Sequence, residues 1–275
     1  MKILIADDME GISGVVDWGH VDSKNDEYQR FRRIMTAEVN SAVAGAFAGG
    51  ADEVVVSDGH SGAKNVMIEN LDPRARLNTG APSEFQMVSG IDKGVNGLIF
   101  IGYHPRYGTL KGVLAHTWSL GVVNLWLNDR VVGEIGLNSS VAGHFGVPLI
   151  MISSDQAGCN EAAAFVPGVE TVAVKQGTGT FAAECLPPEV SHERIRETAQ
   201  KAVKNLINGI SPAPVKTSTP VVVKVELNNA QQADRAMTTP AAVRVDGRTV
   251  QVEMPDMVEA YRAFRTIVGL AGPNF

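Results

Sequence analysis

Cysteine is scarce in this chain: 275 residues hold only two, Cys159 and Cys185. Two thiols that far apart match no metal-binding spacing and cannot build a disulfide framework, so a reducing, cytoplasmic setting is expected. Long apolar runs are missing too. No stretch reaches the roughly 18 residues a membrane span needs, and the first apolar run stops at Asp7-Asp8, unlike a secretory signal. There is no basic run and the net charge is −6, which argues against broad binding to nucleic acid or anionic membranes. G-x-S-x-G, a Walker loop and G-x-G-x-x-G after a strand are all absent, and neither cysteine has an activating pattern. With 44% hydrophobic and 20% charged residues, the chain is long and apolar enough for one large domain, or one plus a small second.

The order of apolar runs predicts alternating strands and helices. Ile3-Leu4-Ile5 opens the chain as a strand. A helical pattern runs from about Glu27 to Phe47, with Phe31, Met35, Val39 and Val43 on one face, and Gly49-Gly50 stops it. Strands are expected at Glu53–Val56, Ala75–Leu77, Gly97–Ile101, Pro148–Ser153 and Thr171–Val174. A hairpin is expected at Asn128-Asp129, and helices at Gly133–Phe145, Gln156–Phe165 and His192–Ile207, the last capped by Ser191. The Pro-rich segment 211–220 reads as a linker. Beyond it come a strand at Val221–Leu227, a short helix at Ala230–Met237 and a hairpin in which Val243 and Val245 face Val250 and Val252 across Asp246-Gly247. An amphipathic helix at Met257–Leu270 closes the chain. The expectation is an α/β fold: a mostly parallel sheet with helices on both faces over residues 1–211, plus a smaller βαββα module over 220–275.

Three strands end alike. Ile3-Leu4-Ile5 leads to Asp8, Val54-Val55-Val56 to His60, and Ile99-Phe100-Ile101 to His104. In a parallel sheet those ends share the edge where ligands bind. Asp8 and Glu10 are two apart, so their carboxylates share a side while Asp7 points away. Alone, each of these residues reads as readily as a solvated turn or a capping histidine. Together, two imidazoles and two acids make a site for a borderline metal such as zinc. Glu134, between Gly133 and Gly136, is a fifth candidate, either as a ligand or as a helix N-terminal acid; the glycines would let backbone approach a ligand. Three acids would balance two Zn²⁺ and a bridging hydroxide. His116 stands in a Gly/Pro-bounded loop and reads as a packing residue or a proton carrier. Asp58 could orient an imidazole or form a turn. His20, His144 and His192 read as structural.

Asp8-Met9-Glu10-Gly11, Asp58-Gly59-His60-Ser61, Gly102-Tyr103-His104, Ala115-His116 and the run Asn128–Asn138 together resemble the zinc-dependent D-aminopeptidases of the DppA type. The similarity runs essentially the whole length, through Asp256-Met257-Val258-Glu259-Ala260-Tyr261. The family's S-x-D-x-E-G signature is met except at its first position, where Ala6 lacks the hydroxyl. The resemblance implies that Asp8 bridges two zinc ions, that Glu10, His60, His104 and Glu134 are the other ligands, and that His116 is the catalytic histidine. It also implies a homodecamer of stacked pentamers acting on short peptides. A metal-activated water assisted by His116 is the more natural chemistry for such a set. Two other readings stay open at this point: a metal-dependent phosphoesterase, and a non-catalytic metal- or small-molecule-binding module.

Overall fold

The structure is a computed structural model that describes residues 1–272. Its frame is a seven-stranded sheet. Six strands are parallel: β1 (Lys2–Asp7), β2 (Glu53–Asp58), β3 (Ala75–Asn78), β4 (Gly97–Ile101), β7 (Leu149–Asp155) and β8 (Glu170–Gly179). The seventh, β9 (Ala182–Cys185), runs antiparallel along β8. The order is β3-β2-β1-β4-β7-β8-β9. The chain therefore winds outward in both directions from β1 and β4, and the crevice beyond their carboxyl ends is the switch point where such sheets bind ligands.

Strand alternation divides the apolar residues between two cores. Ile3, Ile5, Val54, Val56, Ile99 and Ile101 face α2 (Tyr28–Gly49) and α5 (Pro188–Ile207). Leu4, Ala6, Leu98 and Phe100 face the other way, toward α3 (Glu134–His144) and α7 (Met257–Ala271). Two shorter helices complete the layers: α1 (Trp18–Val21) packs on α2, and α4 (Gln156–Phe165) packs on β7 and β8. No helix among the described residues is long and apolar enough to cross a membrane.

A second, antiparallel sheet has the order β11-β12-β10-β5-β6. Its strands β10 (Val221–Leu227), β11 (Val243–Arg244) and β12 (Thr249–Met254), with α6 (Ala230–Ala236) and α7, form the expected βαββα module. The hairpin β5 (Val122–Leu127) and β6 (Arg130–Val132) joins the same sheet by pairing β5 with β10. Val221, Val223, Val225 and Leu227 alternate inward and meet Tyr261, Phe264 and Ile267 of α7 in one core.

Three local expectations need correction. Helix α5 begins at Pro188, not after Ser191, because a proline in the first turn gives up no helical hydrogen bond. Ser191 instead lies inside the helix and donates to Glu38 Oε1 at 3.1 Å. Strand β8 runs on to Gly179 and turns back as β9. In the last hairpin the Val245 amide donates to the Thr249 carbonyl at 2.9 Å, which leaves three residues in the loop. The register is therefore shifted by one: Val243 pairs with Gln251 and Arg244 with Val250. Val243 and Val245 consequently point to solvent.

Candidate metal centre

Three strands of the parallel sheet and one helix deliver their polar residues to the same edge. Asp8 and Glu10 follow β1, His60 follows β2, His104 follows β4, and Glu134 opens α3; all are buried. His60 Nδ1 lies 3.2 Å from Asp8 Oδ1 and 3.1 Å from Glu10 Oε2. His104 Nε2 lies 3.4 Å from both Asp8 Oδ2 and Glu134 Oε1. The two oxygens of Asp8 thus face different imidazoles. His116 Nε2 is 4.0 Å from Glu134 Oε1, and its ring stacks on His104 at 4.0 Å. All six candidates from the sequence meet in one place.

The other nitrogen of each imidazole is tied to a main-chain carbonyl. His60 Nε2 donates to Val21 O at 2.9 Å, His104 Nδ1 to Pro105 O at 3.0 Å, and His116 Nδ1 to Leu114 O at 2.9 Å. That orients each ring and turns its other nitrogen toward the carboxylates, the arrangement typical of metal-ligating histidines. Asp8, Glu10 and His104 form one group of converging donor atoms; His104, His116 and Glu134 form a second. His104 belongs to both.

The electrostatics favour a bound cation. Three carboxylates converge in a cavity of about 270 Å³ whose lining holds no lysine or arginine. Burial, together with the Glu10 charge, pushes Asp8 up to about 7. Burial also opposes charge on Glu10, but the His60 imidazole outweighs it and holds Glu10 well below the usual range. His60 and His104 are both disfavoured as cations by burial, yet the surrounding carboxylates raise them well above an ordinary histidine. His116 goes the other way: burial and the neighbouring His104 lower it. His104 Nε2 is buried and has no hydrogen-bond partner among the described residues. An orphaned imidazole nitrogen among three acids is the donor set a borderline divalent ion such as zinc completes.

The backbone around the centre is tightly specified. Gly11 donates to Gly102 O at 2.7 Å, and a Cβ on Gly11 would sit 1.9 Å from Tyr103 O, so only glycine lets the Glu10 and His104 loops touch. Ser61, Gln86 and Trp118 line the cavity with positive φ of 50°, 44° and 64°. Such strain at non-glycine residues clusters where function requires it. Trp118 is held there by donating its amide to Glu134 Oε1 at 2.5 Å. The glycines flanking Glu134 serve another purpose than the expected close approach to a ligand. A Cβ on Gly133 would meet Arg106 at 2.6 Å, and one on Gly136 would meet Val132 at 2.8 Å. They let protein pack on protein.

Asp58 takes the turn role: it accepts from Asn65 and Val66 amides and from Asn65 Nδ2, shaping the loop after His60. His20 is structural, accepting from the Val16 amide and stacking on Phe31. Lys175 is a residue the sequence reading passed over. Its buried Nζ donates to Glu10 O (2.5 Å), Ile12 O (2.9 Å) and Val15 O (2.6 Å), and burial pushes it down to about 8. Its position differs from that of the expected ligands: Lys175 directly follows Val172-Ala173-Val174 inside β8, whereas Asp8, His60 and His104 lie three or four residues past their apolar triplets.

Comparison with known proteins agrees with this geometry. The chain is 40% identical to a D-aminopeptidase of Bacillus subtilis (strain 168), covering 98% of each chain. Its fold matches the solved structure of the "Zn-dependent D-aminopeptidase DppA from Bacillus subtilis, a self-compartmentalizing protease" with a TM-score of 0.93 and 38% identity over the full length of both. A family model described as D-aminopeptidase matches residues 1–266, and the chain belongs to that family.

Proposed function

We propose that this protein is a zinc-dependent aminopeptidase that removes an N-terminal D-amino acid from short peptides. The observation that carries the reading is the buried set of three carboxylates and three imidazoles, each imidazole locked by a carbonyl and offering its free nitrogen to the centre. In this reading Asp8, Glu10, His60, His104 and Glu134 would hold two zinc ions, and Asp8 would serve both. The divergent oxygens of Asp8 support that role.

Zinc, when bound, supplies Lewis-acid chemistry: it polarises a carbonyl and lowers the pKa of water. The protein supplies the proton transfers. His116 is kept neutral by burial and by His104, and its Nδ1–H is tied to Leu114 O. Its Nε2 can therefore take the proton of the attacking water and return it to the departing peptide nitrogen. A phosphoester would find no lysine or arginine among the residues lining this cavity. The two-zinc count, a decameric assembly and a cytoplasmic location belong to the same proposal. The Bacillus structure's description as self-compartmentalizing supports an assembly of this kind.

The test is a panel of short peptides with D- or L-residues at the amino terminus, assayed with zinc, after chelation and after zinc is restored. D-specific release that follows the metal is the expected result; equal release of L-residues, or activity indifferent to chelation, sinks the reading. His104→Ala should strip zinc and activity together. His116→Ala should keep zinc while losing about 10²–10⁴ in turnover, the usual contribution of a general acid–base. A His116→Ala enzyme at the native rate would end the role assigned to it.

A further inference from the structure

The metal cavity accounts for the amino end of a peptide and leaves its other end unaccounted for. No lysine or arginine lines that cavity, so it offers no side-chain cation to a free C-terminal carboxylate. Trp118 and Gln86 form part of this cavity's wall and also part of the wall of a larger groove of about 910 Å³. The groove lies between residues 118–121 and α7. It holds two arginines, and they differ in kind. Arg262 divides its guanidinium between Glu84 and Glu259, both at 2.5 Å, and is neutralised. Arg265 donates through Nη1 to the Ser83 and Glu84 carbonyls at 2.9 and 2.7 Å, and stands 5.6 Å from the Tyr261 ring centre. Among the described residues no carboxylate is within ion-pairing distance of it.

Arg265 is thus a cation fixed in place by groups that do not cancel its charge, with its Nε–Nη2 edge left over. Tyr261 is itself anchored, donating to Phe85 O at 3.0 Å, and packs edge-on against Trp118 at 6.0 Å. A line of rigid contacts therefore runs from Glu134 through Trp118 to the arginine. A preorganised planar fork of this kind recognises a carboxylate in two-pronged fashion. We propose that Arg265 receives the C-terminal carboxylate of the peptide substrate, so that the enzyme prefers short peptides with a free acid end. The proposal rests on the aminopeptidase reading and specifies the substrate class.

The test uses the zinc-loaded, full-length protein and peptides of D-alanine followed by one, two or three glycines, each as free acid and as C-terminal amide. The wild type should favour the acid by about tenfold in kcat/KM, mostly through KM, a ratio equivalent to about 1.4 kcal/mol. Each residue adds about 3.3–3.6 Å of reach, so the preference should peak at one length. Arg265→Gln should bring the acid-to-amide ratio to within about twofold of unity, and Arg265→Lys should restore part of it. Thr266→Glu, which adds a negative charge at an exposed position on the same wall, should lower the ratio without touching the arginine's carbonyl contacts. A wild-type ratio near one, or a ratio unchanged by Arg265→Gln and Thr266→Glu, overturns the carboxylate site alone. A zinc-loaded wild type that hydrolyses neither form of any peptide overturns the aminopeptidase reading beneath it.

Discussion

Glu38 sits fully buried on α2, tied to the loop that follows Glu10. Its Oε1 accepts from the Ser13 amide and the Ser191 hydroxyl, each at 3.1 Å, while Oε2 has no partner among the described residues. Burial outweighs those two donors and pushes the carboxyl up from 4.5 to about 7. A carboxyl whose folded pKa lies above its unfolded one binds its proton more tightly in the native state. Its contribution to stability is complete below about pH 4.5 and is lost as pH rises through 7. The scale, from the shift and the energy per pKa unit, is on the order of 3 kcal/mol. Glu38→Gln keeps the shape and removes the titration. Denaturant unfolding at constant zinc should show the wild type losing more stability than Glu38→Gln between pH 5 and 8, and parallel pH curves would show that the carboxyl titrates normally.

At the scale of elements, the centre is held from below by the ends of β7 and β8. Ser153 Oγ accepts from the Gly102 amide, Ser154 Oγ donates to Tyr103 O, and Asp155 accepts from the Val113 amide, so β7 fixes the loops of His104 and His116. Lys175 on β8 does the same for the loop of Glu10, matching three N–H bonds to three carbonyls. Lys175→Met would leave those buried carbonyls without a donor, at about 1–3 kcal/mol for each that finds no water. It should cost roughly 3 kcal/mol or more in denaturant unfolding and weaken zinc binding by about 10–100-fold, the usual effect of losing a group that supports a metal ligand. Zinc affinity equal to the wild type's would reduce Lys175 to a stability residue. This support was only partly legible in the chain. Asp8, His60 and His104 could be found because each lies three or four residues past an apolar triplet that reads as a strand. Lys175 departs from that pattern, directly following its triplet inside β8, and carries no metal-ligand chemistry. The carbonyls of Val21, Pro105 and Leu114 are main-chain atoms whose positions depend on loop paths, so no residue type announces them.

For the whole molecule, alternation of strands and helices was enough to place the parallel sheet and its functional edge, because sequential βα units obey strong handedness and adjacency rules. What alternation does not encode is pairing between elements far apart in the chain. The hairpin β5–β6 precedes the Pro-rich segment 211–220, yet β5 pairs with β10 beyond it: Val223 lies opposite Leu127 and Val225 opposite Leu125. Asn128 further ties the hairpin to the later strand, exchanging hydrogen bonds with Val222 at 2.7 and 2.8 Å. Helix α7 closes over Val132, Ile135 and Phe85 as well as over its own sheet, in one continuous apolar cluster. Residues 220–272 alone would leave β10 with an open edge and α7 with much of its apolar face in water, a combination that favours aggregation over folding. Residues 1–211 alone would lose the Tyr261 and Phe264 rings that pack on Trp118, a residue of the metal cavity's wall. The full chain should therefore unfold in one cooperative transition by calorimetry, and a protein cut after residue 211 should be insoluble or fail to bind zinc. Two separate transitions, or a zinc-binding fragment with native circular dichroism, would show that the two sheets fold independently. In that case Trp118 would have to keep its positive φ by its bond to Glu134 alone.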